Sequence, residues 1–106
     1  MTVTLTAADS GKSIEVQEGS EIVLVLDENP TTGFRWRVDR ADGILELEDD
    51  SYTPDPNMQF GSGGVREFRF RGKAPGTAML ELTHLQEWEG EGSATRRFGV
   101  EIQFTR

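Results

Sequence analysis

Apolar residues in this chain recur at every second position rather than every third or fourth. Phe34, Trp36 and Val38 alternate with Arg35 and Arg37, which predicts a strand over 34–38 with its aromatics on one face. Phe68 and Phe70 alternate with Glu67, Arg69 and Arg71 over 65–71. Ala78, Leu80, Leu82 and His84 share one side over 77–85, and Phe98, Val100, Ile102 and Phe104 share one side over 97–105. Residues 21–26 are nearly all apolar, the pattern of a central strand covered on both faces. Three shorter strands are predicted over 3–5, 13–16 and 44–47. No segment has helical periodicity, and Gly, Thr and Pro interrupt each stretch long enough to attempt it.

Eight short strands at regular spacing, separated by turn residues, predict an all-β fold. The expected form is an immunoglobulin-like antiparallel β-sandwich of about seven to eight strands. Its two inner faces would enclose a core roughly 10 Å thick. The connecting loops would gather at the two ends, where binding residues most often sit.

The 106 residues read as a single domain over 1–106, with no linker, repeat or low-complexity tract. Only 35% of residues are hydrophobic, so the core depends on patterning rather than on abundance. The formal net charge of -8 argues against a nucleic-acid partner, which requires clustered Lys and Arg. It suits a soluble monomer and would steer the chain towards a basic partner. Cysteine is absent, which removes disulfides, thiolate metal sites and a Cys nucleophile, and leaves the compartment open. No apolar stretch approaches membrane-spanning length, and no basic, apolar targeting segment opens the chain, so no membrane association is expected.

Three loops stand out. The first, Asn29, Pro30, Thr31, Thr32 and Gly33, runs into Phe34, Arg35 and Trp36. Pro30 fixes its own φ and pushes Asn29 towards extended geometry, the two threonines are stiff at χ1, and Gly33 allows backbone angles other residues resist. The second is Gly61, Ser62, Gly63 and Gly64, whose three glycines permit close backbone approach. The third spans 86–92 and carries Trp88 among Glu87, Glu89 and Glu91. A Trp among acids and glycines is hard to place in a core and reads as an exposed interface anchor.

In order and spacing these loops resemble the chagasin family, inhibitors of papain-like cysteine proteases. The resemblance runs along almost the whole chain. It implies an immunoglobulin-like fold with the three loops side by side, forming a wedge that enters the protease active-site cleft. The protease-binding residues it implies are Asn29, Pro30, Thr31, Thr32, Gly33 and Phe34 over the catalytic centre, with Gly61, Ser62, Gly63 and Gly64 on one flank and Gln86, Glu87 and Trp88 on the other. The third loop departs from the family, whose usual form is Arg-Pro-Trp. Gln86 and Glu87 replace the cation and the stiffening proline, which bears on potency and target range but not on the fold.

The inhibitory mechanism needs no covalent chemistry. A stiff loop that fills the cleft without presenting a carbonyl at attack distance blocks substrate and is not cut. Catalysis by this chain is disfavoured. His84, the lone histidine, falls on the apolar side of a strand, and Ser62 lacks a strand-to-helix elbow. Asp49, Asp50, Asp55 and Asn57 match no calcium-loop spacing, and Pro54 and Pro56 fit a surface loop. No cofactor or metal is expected. A binding module of the same fold with a non-protease partner is the alternative, because fold alone does not fix function.

Overall fold

The structure is a computed structural model that describes residues 1–29, 33–54, 63–86, 88–89, 92, 94 and 96–106. Eight strands follow one another: β1 (Thr2–Leu5), β2 (Ser13–Gln17), β3 (Glu21–Glu28), β4 (Phe34–Ala41), β5 (Leu45–Pro54), β6 (Gly64–Gly72), β7 (Gly76–Gln86) and β8 (Arg96–Thr105). A three-residue 3-10 turn, Ala7–Asp9, joins β1 to β2. Two four-stranded sheets result, one ordered β1-β3-β6-β5 and the other β2-β8-β7-β4. The sandwich expected from the alternating pattern is the fold adopted.

The central pairings are antiparallel, but the two edge pairs, β1 with β3 and β2 with β8, run parallel. They do so because the first extended stretch is broken by the 3-10 turn. The chain runs up one sheet as β1, crosses over, and comes back down the other as β2. Hydrogen bonds from the Thr6 backbone N–H to Asp9 and from Lys12 to Asp9 fasten the crossing.

Inward-facing residues meet expectation. Ile22, Leu24, Leu26, Phe68, Phe70, Ala78, Leu80, Leu82, Phe98, Val100, Ile102 and Phe104 are buried and form one cluster. Truncating a residue such as Phe70 to Ala would cost about 3–5 kcal/mol, the usual toll for a fully packed aromatic. β3 is indeed interior to its sheet, and Val23 on its outer face is buried as well.

One element differs from the sequence pattern. β5 is ten residues long and extends through Asp49 and Asp50 to Pro54, where a short strand and a surface loop were expected. It is an edge strand and mostly exposed, so neither face demands apolar residues. Pairing with β6, with a register shift between Leu47 and Asp49, holds it extended. Arg66 and Arg71 reach across to Asp50 and Glu48, matching its acids with cations. The acids also discourage a further strand from adding to this edge. Asp55, Pro56 and Asn57 lie outside the described residues. Among the described residues, no helix is long and apolar enough to cross a membrane, and no group of three or more His, Asp or Glu is placed to hold a metal ion.

Candidate functional site

Strand directions bring three connections to one end of the sandwich. β3 ends where β4 begins, β5 ends where β6 begins, and β7 ends where β8 begins. Register shows the convergence: Gly64 lies opposite both Glu28 and Pro54, Phe34 opposite Gln86, and His84 opposite Arg96. Asn29, Gly33, Gly63 and Trp88 all stand at this end. Pro30, Thr31, Thr32, Gly61, Ser62 and Glu87 lie outside the described residues.

Contacts between the loops are steric and specific. Gly33 has φ +80, and a β-carbon built on it would collide with the Trp88 indole, lying 2.8 Å from Cζ3. The Trp88 ring therefore lies over the Gly33 backbone, joining the third loop to the first. Trp88 is nonetheless 70% exposed, so its other face is open to solvent, as the sequence predicted. Gly63 has φ +95, and a β-carbon there would sit 3.1 Å from both the Asn29 Cβ and the Glu28 carbonyl oxygen. This contact joins the second loop to the first. Gly64 has an internal reason to be glycine: a β-carbon would overlap the Thr53 carbonyl and lie 2.7 Å from the Pro54 Cα.

Below the loops the core changes character. Phe34 is half-buried and stacks on His84 with centroids 5.3 Å apart, while Trp36 tilts against the same imidazole at 5.1 Å. The Arg96 guanidinium lies 5.1 Å above the Trp36 ring. Burial pushes the His84 pKa below its ordinary value, the charge of Arg96 pushes it the same way, and Glu28 opposes them. The aromatic sandwich accounts for this histidine structurally, in line with the expectation of a core or edge residue. Phe34, expected in the contact surface, is half-buried at the start of β4 and stacks on His84.

Glu28 is the residue that the sequence reading missed. It is 3% exposed, and its two carboxylate oxygens are divided between partners. Oε1 accepts the Trp36 backbone N–H at 2.9 Å, and Oε2 accepts Arg66 Nε at 2.8 Å and pairs with Nη2 at 2.8 Å. Arg66 Nη1 donates to Asp50 at 2.9 Å, and its guanidinium lies 5.6 Å from the Tyr52 ring centroid. Trp36 Nε1 donates to the Asp27 carbonyl at 2.9 Å. The signal was present: Ile22, Leu24 and Leu26 point inward, and the same alternation carries Glu28 inward after them. An inward carboxylate requires a cation, and Arg66, in register with Leu26, is on the correct face.

The family model for the chagasin family of peptidase inhibitors matches residues 15–102. Chagasin of Trypanosoma cruzi is 29% identical over 97% of this chain and 98% of its own length. Amoebiasin-1 of Entamoeba histolytica is 27% identical over 81% of this chain and 84% of its own. The crystal structure of a cysteine protease inhibitor from Entamoeba histolytica superposes with a TM-score of 0.87, covering 98% of this chain and 96% of that one at 21% identity, and so shares the fold.

Proposed function

On the premise that this chain belongs to the chagasin family of peptidase inhibitors, and is thus an inhibitor and not an enzyme, we propose that its loop end occludes the cleft of papain-like cysteine proteases. Residues 1–106 act as one soluble, monomeric inhibitor domain. The first loop, with Asn29, Pro30, Thr31, Thr32 and Gly33 running into Phe34, covers the catalytic centre of the enzyme. Gly61, Ser62, Gly63 and Gly64 lie along one wall, and Gln86, Glu87 and Trp88 along the other.

The observation that carries this reading is the contact of the loops with one another. Gly33 close to Trp88 and Gly63 close to Asn29 bring the described residues of three separate connections together, which supports a single surface formed by the three loops. A surface assembled before binding has less ordering entropy to lose, which favours affinity. An exposed Trp at its rim is the residue type that most often dominates interface energetics. Binding is reversible, because occluding the cleft forms no covalent bond with the enzyme.

Titrating papain with the protein tests this. Substrate hydrolysis should fall towards zero at stoichiometric excess, with the inhibitor recovered uncut and serine proteases unaffected. Trp88→Ala should raise the inhibition constant about thirtyfold, corresponding to about 2 kcal/mol, with thermal stability unchanged. Papain and several cathepsin-like enzymes remaining fully active under excess protein would overturn the proposal.

A further inference from the structure

We propose that Glu28 and Arg66 are positioning residues, a buried clamp that sets the first and second loops at a fixed separation for binding. The inference rests on the reading of the loop end as the inhibitory surface, and concerns residues that would not themselves touch the enzyme.

The geometry points to this role in three ways. First, Glu28 is the last residue before the first loop, and Trp36 lies two residues beyond the start of the strand that follows it. The bond from Trp36 N–H to Glu28 Oε1 therefore closes the base of that loop across its two stems. Second, Arg66 stands two residues beyond the start of β6, just past the second loop, and binds the other oxygen of the same carboxylate. Third, Arg66 also holds Asp50 and packs over Tyr52, both on β5, the strand entering the second loop. One carboxylate and one guanidinium thus connect all four stems of the two loops. Above them, Asn29 lies so near Gly63 that a β-carbon built there would come within 3.1 Å of the Asn29 Cβ, so a shift of either stem would alter that close approach.

Stability alone is a poor reason for such a pair. Burying a carboxylate and a guanidinium costs desolvation that their attraction only roughly offsets, and apolar replacements of similar size are often neutral or stabilising. An apolar pair would fill the space but would impose no distance between β3 and β6 at this end, since it lacks directional bonds. A fixed geometry is what the ionic pair adds.

The test separates geometry from stability. Glu28→Leu combined with Arg66→Met removes both charges together, leaving neither buried alone. The expected result is a thermal midpoint near that of the parent but inhibition of papain weakened about tenfold or more. The loss should fall on the association rate, because fewer molecules hold both loops in the binding geometry at any moment. Glu28→Gln is the second variant, and it keeps the acceptor for Trp36 N–H while losing the charge facing Arg66. It should stay folded and inhibit at least threefold more weakly. Either variant folded and inhibiting within twofold of the parent overturns the clamp while leaving the loop-end reading intact. A parent protein that fails to inhibit papain in the same assay overturns the loop-end reading itself, and the clamp with it.

Discussion

Gly33→Ala tests the joint between the first and third loops, because two separable effects meet at that position. The first is backbone strain. At φ +80 an alanine pays the left-handed penalty, about 1–2 kcal/mol. For a domain of this size that lowers the thermal midpoint by roughly 5–15 °C. The second is displacement. The added methyl would occupy the space of the Trp88 indole, and since Trp88 is 70% exposed the ring can swing outward rather than disrupt the core. The overlap therefore adds little to the stability loss but moves the binding anchor. Losing that anchor corresponds to about 2 kcal/mol, or about thirtyfold in affinity.

The two effects part in a double-mutant cycle. In a Trp88→Ala background the methyl at position 33 meets no ring, so Gly33→Ala should weaken inhibition of papain by less than about threefold, whereas the thermal penalty should persist undiminished. The coupling between the two positions should then exceed about 1 kcal/mol, well above the few tenths found for independent sites. Inhibition constants for the four proteins, measured well below their melting temperatures, supply the comparison. If Gly33→Ala weakens inhibition equally in both backgrounds, the Trp88 ring does not rest on Gly33 in the inhibitory state, and the reasoning fails.

Three further outcomes are expected. Replacing Gln86 by Arg and Glu87 by Pro should tighten inhibition of at least one papain-like enzyme about tenfold, by adding a donor fork and stiffening the approach to Trp88; inhibition constants across an enzyme panel check this. His84 titrates in the folded chain below its ordinary value of 6.5, so as pH falls the unfolded chain takes up the proton first. Its contribution to stability is complete above that value and is lost below it; urea midpoints at about pH 7.5 and about pH 5.5 should fall more for the parent than for His84→Gln, and parallel declines would refute the assignment. Gly72→Ala places a methyl against the Phe104 ring, which is 2% exposed and has no room to yield. It should cost about 1–3 kcal/mol by thermal unfolding, yet leave inhibition at 25 °C intact, because Gly72 ends β6 at the pole opposite the loops.

The strands were legible wherever one face is buried, because burial enforces a period of two. β6, β7 and β8 are of this kind, and their inward residues are those the alternation indicated. β5 was legible only at its start. Its continuation is an exposed edge in which backbone pairing, not burial, decides conformation, so Asp49 and Asp50 carry no visible strand signal. Parallel pairing of the two edge strands is a property of the assembled sheets and leaves no local mark. At the loop end, Trp88 was readable as exposed from its acidic neighbours. Gly33 and Gly63 were readable as permissive, although the reason for each, a neighbouring loop lying against it, is tertiary. Glu28 carried a signal in its inward phase, but its partner Arg66 lies 38 residues away, a distance at which alternation alone selects no partner.

The position of β8 has a consequence for how the chain folds. It is the last strand in sequence but lies inside its sheet, between β2 near the start of the chain and β7. Ile14 pairs with Ile102 and Val16 with Phe104, so β2 has no sheet partner until nearly the whole chain is available. Contacts this distant in sequence slow folding, because the loop closure they require is unfavourable before any reward arrives. A nascent chain that has reached only β7 has one edge of that strand unpaired, with Ala78, Leu80 and Leu82 lacking their β8 register partners Ile102, Val100 and Phe98. The sheet that holds β2 can therefore close only once β8 is available, and an unpaired β7 edge before then is the kind of feature that favours aggregation.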